Sequence, residues 1–345
     1  MSRDNPRPII FGCAGLSLTP EEARFFEETD PLGFILFARN VRDPDQIRAL
    51  TGDLRAAVGR KDAPVFIDQE GGRVARLKPP HWRDAPPGAR FGELARRDLK
   101  LGIEATRLNG RLLAADVQPL GITVDCVPVL DIPVPGAHDI IGDRAFGTDP
   151  ELVATLGRAQ MDGVMAGGVL PIIKHIPGHG RAGVDSHVGL PVVDADLATL
   201  EATDFAPFRA LRDAPLAMTA HIVYTALDEK AAITVSAKAI ADVIRGRIGF
   251  GGILISDDLC MEALGGTPGE RAKAATGAGC DLVLHCNGVY EDMTAVAAAL
   301  EPMNAELWKR VKPVFGRLPK PEPIDAPALS ARLAELLGTA SQPVA

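Results

Sequence analysis

No run of the 345 residues reaches the roughly eighteen consecutive apolar positions that a membrane-crossing helix needs. The longest candidate, residues 164–173, is short and carries Gly167, Gly168 and Pro171. The first residues, MSRDNPRPIIFG, lack a basic stretch followed by an apolar core and a small-residue cleavage site, so no secretory leader is expected. Cysteines are few and odd in number, and none of Cys13, Cys126, Cys260, Cys280 and Cys286 forms a CxxC pair. That spacing argues against a disulfide scaffold or a thiolate zinc site and for reduced, buried thiols in a cytoplasmic protein. Basic residues do not predominate. Lys and Arg number 37 against 45 Asp and Glu, a net charge of −8, whereas sequence-independent nucleic-acid binding needs a basic stripe. No repeat period is present, and 46% hydrophobic with 24% charged residues is a globular balance, which excludes disorder, collagen and coiled coil.

What is plentiful is glycine and proline, 35 and 28 residues. Set among persistent apolar runs, they mean many tight connections between short elements. Eight such runs read as buried strands: 8–14, 33–38, 64–68, 122–129, 169–175, 216–223, 252–256 and 281–285. Helical patterns separate most of them. Thr19-Pro-Glu-Glu22 reads as a capping box, and Asp43-Pro44 opens a helix with Ile47, Leu50, Leu54 and Val58 on one face. Leu152, Leu156 and Ala159 lead another, and Ser236 caps the one carrying Ile240, Val243 and Ile244. Near-continuous apolar strands joined by helices imply a covered parallel sheet. Eight in about 285 residues is the count of a (β/α)8 TIM-type barrel. A doubly wound sheet would normally show a Gly-rich phosphate turn after its first strand, and Gly12-Cys-Ala-Gly15 lacks that spacing. The α/β chain is therefore read as one catalytic barrel domain over 1–345, a monomer, with a Pro-rich surface strap from about Leu318 that frays at its end.

Polar residues interrupt these runs at one end. Asp68 ends the third, Lys174 and His175 the fifth, His221 the sixth and Asp257 the seventh, and Asn287 follows the eighth. In a parallel barrel those ends share the rim where active sites are built. Any one of them alone reads as a helix cap or a satisfied core histidine; six at the same end of successive strands point to a site. The loop from Lys174 to Pro191 is the richest segment. Gly178, Gly180, Gly183 and Gly189 free its backbone, so residues 176–189 are expected among the more mobile parts of the rim, and Asp185-Ser-His187 sets a carboxylate two residues from an imidazole. Such a pair suits a general acid/base. A metal site built from His175, His179, Asp185 and His187 is the competing reading, although the spacing is not that of a helical zinc motif. Of Asp257 and Asp258, alternation allows only one to face the barrel centre, and the period does not choose between them.

Four ordered motifs, Ile67-Asp-Gln-Glu-Gly-Gly-Arg-Val74, Lys174-His-Ile-Pro-Gly-His-Gly180, Asp185-Ser-His187 through Pro191, and Ser256-Asp-Asp-Leu259, resemble the family-3 glycoside hydrolases. More narrowly, the chain is similar to the bacterial cytosolic β-N-acetylglucosaminidases that recycle cell-wall muropeptides. The resemblance implies an exo-acting, retaining β-N-acetylhexosaminidase that removes terminal non-reducing GlcNAc from GlcNAc-1,6-anhydro-MurNAc, with or without peptide. It implies Asp257 as nucleophile, His187 as acid/base tuned by Asp185, and Asp68, Arg76, Arg144, Lys174 and His175 as sugar-binding residues. No metal or organic cofactor is implied, and the partner is an amino-sugar or muropeptide, not nucleic acid or membrane. A phosphorylase variant, a metal-dependent barrel hydrolase and a non-catalytic sugar-binding relative are the alternatives. Two departures stand out: only about sixty residues follow Asn287, where many relatives carry further domains, and Cys260 follows Asp-Asp-Leu where a small polar residue is expected.

Overall fold

The computed structural model describes residues 5–186 and 189–339. Eight parallel strands close into a barrel in chain order: β1 (Arg7–Gly12), β2 (Pro31–Leu36), β3 (Val65–Ile67), β4 (Val124–Asp125), β5 (Leu170–Ile176), β6 (Leu216–Thr219), β7 (Ile253–Asp258) and β8 (Leu282–His285), with β8 pairing back to β1. This is a (β/α)8 barrel, and each of the eight apolar runs overlaps one strand. The runs are apolar throughout because both strand faces are buried. Ile10, Phe66, Ile172, Met218, Ile255 and Leu284 fill the barrel interior, while Ile9, Val65, Ile173, Ala217, Leu254 and Val283 face the surrounding helices. The helix Ala305–Gly316 closes the bottom, where Phe315 packs 5.9 Å from Phe66 and the Met303 amide donates to the Pro6 carbonyl.

Local chemistry starts the helices. Thr19 and Glu22 form the capping box of Pro20–Thr29, Asp43 caps Pro44–Ala57, Asp149 caps Pro150–Ala166, and Ser236 accepts from the Ala239 amide. Where α-helix was expected at Ile240, Val243 and Ile244, a π-helical turn over Ile240–Arg247 follows a short α-helical start. The fourth strand is shorter than its run. The Leu170 amide bonds Thr123 while the Ile172 amide bonds Val127, so four residues on one side span two on the other. That bulge lies just after Asp125, the last residue of β4 to pair regularly with both neighbouring strands.

Two segments differ from the sequence reading. Two helices, Gly88–Arg97 and Leu99–Val117, lie between β3 and β4, with Asp98 ending the first and capping the second. The tail is a strap only over 318–325, where Pro319, Pro321 and Pro323 withhold backbone donors and Arg111 holds the Glu322 and Pro323 carbonyls. Beyond it Asp325 caps a helix, Ala326–Leu337, which buries Leu333 and pairs Arg332 with Glu104 of Leu99–Val117 at 2.8 Å. Among the described residues no helix is long and apolar enough to cross a membrane.

Candidate active site

The C-terminal ends of the strands surround a cavity of about 310 Å³. Its lining includes Phe37 after β2, Asp68, Glu70, Arg73 and Arg76 after β3, Arg144 after β4, Lys174 and His175 of β5, His179 and Ser186 of the following loop, and Asp257 and Asp258 of β7.

The β3 loop is folded by one buried side chain. Gln69 accepts from the Arg76 and Leu77 amides and donates to the Leu77 carbonyl, while its own amide donates to Asp125. This closes residues 69–77 into a loop that returns Arg76 to Asp68, Nη2 to Oδ2 at 3.1 Å. Gly71 and Gly72 make the turn at φ +107° and +56°, and a Cβ on Gly71 would sit 2.4 Å from the Pro86 carbonyl.

Two carboxylates and three cations then form one buried network. Lys174 Nζ lies 2.8 Å from Asp68 and 2.6 Å from Glu70, and Arg144 grips Glu70 with two parallel hydrogen bonds of 2.8 and 2.9 Å. Burial pushes the Asp68 carboxyl up, but Lys174 and then Arg76 outweigh it and hold it well below the usual range. Burial opposes ionisation of Glu70 too; Arg144 and Lys174 bring it down to about 2. The same carboxylates keep Lys174 charged although the side chain is fully enclosed. At the mouth Arg73 ties the β3 loop to the β4 loop through Asp139 and Asp143.

Beside this network, buried Asp131 accepts from the backbone amides of His175 and His179 and from His175 Nδ1 at 2.7 Å. His179 Nε2 meets Ser186 Oγ at 3.1 Å, and burial, then His175, lowers its pKa to about 4, so its imidazole is neutral at pH 7. Among the described residues no three His, Cys, Asp or Glu side chains come together to hold a metal ion.

The two aspartates of β7 have different work. Asp258 Oδ1 accepts from the Cys260 and Cys286 amides at 3.0 and 3.1 Å and so fixes the turn after the strand. Asp257 accepts the Asp258 amide at 2.8 Å and stands at the cavity. Burial pushes its carboxyl up, and His175, His221 and the Asp258 amide bring it below its ordinary value, so Asp257 is an anion at neutral pH.

The structure thus gathers Asp68, Arg76, Arg144, Lys174, His175 and Asp257 around one cavity. His187 lies outside the described residues; its neighbour Ser186 lines the cavity wall, and Asp185 precedes it in the loop. Sequence reasoning missed Glu70, Asp131 and Phe37. Glu70 stands two residues from Asp68, and Asp131 interrupts an apolar run as the other rim residues do, so both carried a usable signal. Phe37 did not: its apolar ring, crossed by the Arg76 guanidinium at 5.1 Å, reads as core. Four of the five cysteines are buried as expected, whereas Cys260 is partly exposed.

The chain is similar to known proteins in both sequence and fold. Residues 20–315 match the glycosyl hydrolase family 3 N terminal domain. A β-hexosaminidase of Aromatoleum aromaticum is 40% identical over 287 residues, 81% of this chain and 79% of that protein. One of Chromobacterium violaceum is 37% identical over 90% of this chain and 87% of its own. The structure of NagZ from Neisseria gonorrhoeae in complex with N-trifluoroacetyl-D-glucosamine superposes with a TM-score of 0.86 at 30% identity, covering 98% of this chain and 99% of that one. A β-N-acetylglucosaminidase from Paenibacillus sp. gives 0.80 at 30% identity and covers 98% of this chain, which spans 63% of that longer chain.

Proposed function

The chain belongs to glycosyl hydrolase family 3 and is a glycoside hydrolase of the β-hexosaminidase type, and from that premise we propose that it removes single terminal N-acetylglucosamine residues with retention, using Asp257 as nucleophile and His187, tuned by Asp185, as acid/base. The observation that carries this reading is an ionised Asp257 at the wall of a small cavity whose opposite wall is the Asp68–Glu70–Lys174–Arg144–Arg76 network.

The cavity is at the small end of ligand pockets and closed below by the barrel core, so it suits one sugar ring at a chain end. Asp68 accepts sugar hydroxyls, Arg76, Arg144 and Lys174 donate to hydroxyls or to the acetamido carbonyl, and His175, whose Nδ1 hydrogen goes to Asp131, offers Nε2 to a sugar hydroxyl. Being paired already, these side chains are held in place before substrate arrives, and Phe37, Met218 and Leu284 offer apolar surface to the ring carbons. In the first step an Asp257 oxygen bonds to the anomeric carbon, the glycosidic C–O bond breaks, and the His187 proton goes to the departing oxygen. In the second, water attacks the same carbon, gives its proton to His187 and releases Asp257. An imidazole acid needs no burial to be protonated near neutral pH, unlike a carboxyl.

The natural substrate we assign is GlcNAc linked to 1,6-anhydro-MurNAc, with or without peptide, acted on in the cytoplasm by a single chain. The resemblance to bacterial relatives supports it, and the cavity lining, all from one barrel, fits a complete site within this domain. The test is a comparison of leaving groups. His187→Ala is expected to lose about 100-fold or more in kcat/KM on GlcNAc disaccharides and far less on an aryl GlcNAc whose leaving group needs no proton. Equal losses on both would remove His187 from the acid role.

A further inference from the structure

Under Asp257 the strand leaves its ladder. Pairing between β6 and β7 ends at Met218 and Ile255, so the backbone groups of Asp257 and Asp258 on that side have no strand partner. Buried backbone groups must be paired, and here four side-chain contacts pair them. The Asp257 amide donates to Thr219 Oγ1 at 3.3 Å; Thr219 Oγ1 meets Thr234 Oγ1 at 2.7 Å; Thr234 Oγ1 meets His221 Nδ1 at 2.7 Å; and His221 Nε2 meets the Asp258 carbonyl at 3.0 Å. Thr219, His221 and Thr234 are all fully buried.

The proton positions follow from the chain's two ends. A carbonyl only accepts, so His221 Nε2 carries a hydrogen. Burial holds the ring below its ordinary pKa and therefore neutral, which leaves Nδ1 as an acceptor. Thr234 Oγ1 also lies 3.2 Å from the Ala220 carbonyl, but its one hydrogen goes to the nearer His221 Nδ1, and Thr219 then donates to Thr234. The Thr219 oxygen is left to accept the Asp257 amide. Every donor in the sequence points the same way, from the Asp257 N–H to the Asp258 C=O.

We propose that Thr219, Thr234 and His221 are positioning residues for Asp257, forming a one-way hydrogen-bonded bracket around its backbone that fixes where the carboxylate meets the anomeric carbon. None of the three lines the cavity. Their effect is on the approach of the attacking oxygen, where an error of about 1 Å costs about 100-fold in rate. The proposal rests on the reading of Asp257 as nucleophile.

The experiment compares Thr234→Val, nearly isosteric but without the hydroxyl, with Thr234→Ser, which keeps it, on an aryl β-GlcNAc substrate. Thr234→Val is expected to lower kcat by about 10- to 100-fold with KM within about two-fold, and Thr234→Ser to recover most of the loss. Wild-type kcat in Thr234→Val overturns the proposal. So does a loss carried by KM, or one that Thr234→Ser shares equally, because packing would then be the cause. Thermal melting and N-acetylglucosamine binding report whether each variant is folded; if Thr234→Val is not, Thr219→Val with Thr219→Ser puts the same question one bond closer to Asp257. Asp257→Ala separates the two claims. Should it retain turnover, the nucleophile reading falls; should it be inactive while Thr234→Val is unimpaired, the bracket alone falls.

Discussion

Lys174 shows what one residue costs and does. Its ammonium is enclosed, and two carboxylates from the neighbouring β3 loop keep it charged. Replacing it with Met would leave Asp68 and Glu70 short of a cation in a buried site, a change worth about 3–5 kcal/mol. Lys174→Met is therefore expected to lower the unfolding free energy from urea titration by that amount and to abolish sugar binding; a loss below about 1 kcal/mol would show that Arg76 and Arg144 suffice. Residues such as Lys174, His175 and Asp257 were legible because a charge inside an apolar run is conspicuous. Glu70 was overlooked although it stands two residues from Asp68, because its role shows only with Arg144, 74 residues further along the chain. Asp258 illustrates the reverse case: alternation left it level with Asp257, and only its bonds to two backbone amides identify it as the residue that shapes the turn.

At the scale of elements, the loop after β5 is packed against the exit of β4 over its first half. A Cβ on Gly180 would lie 1.9 Å from the Ile132 carbonyl, and Gly178 sits at φ +141°, whereas Gly183 and Gly189 face open space. Of the four glycines that the sequence offered as sources of freedom, two are required by close contact and backbone shape. Gly180→Ala must push this loop away from β4, and kcat on GlcNAc disaccharides is expected to fall at least about 10-fold, while Gly183→Ala stays near wild type. Equal activity in the two variants would show that the loop tolerates displacement. The helix Leu99–Val117 escaped the sequence reading for a related reason. Leu99–Val117 meets Pro150–Ala166 through glycine: a Cβ on Gly110 would be 2.5 Å from the Gln160 carbonyl, and one on Gly163 2.3 Å from that of Arg107. Helices that pack by small residues bring their backbones together and do not need the broad apolar stripe that betrays an amphipathic helix. The barrel strands are apolar on both faces and were legible for the opposite reason.

For the molecule as a whole, the polar rim links stability to pH. The Glu70 carboxyl sits at about 2 in the folded chain against an ordinary value of 4.5, so its contribution is present above pH 4.5 and is lost as pH falls toward 2. His179, at about 4 against 6.5, acts in the same direction: folding keeps it neutral, and the stability tied to that is lost as pH falls from 6.5 through about 4. Unfolding free energy is therefore expected to decline from about pH 6.5 downward, and Glu70→Gln to flatten the part of the decline below pH 4.5. Parallel acid limbs in the two proteins would show that Glu70 is not depressed.

The central claim is that Asp257 forms the covalent bond to the sugar. Its most direct measurement is to trap the glycosyl-enzyme with a fluorinated N-acetylglucosamine donor, digest the protein and map the modified peptide by mass spectrometry. The expected result is one sugar per chain on the peptide containing Asp257, with none formed in Asp257→Ala. A sugar on any other residue, or no adduct from an enzyme that turns over the same donor, would contradict it.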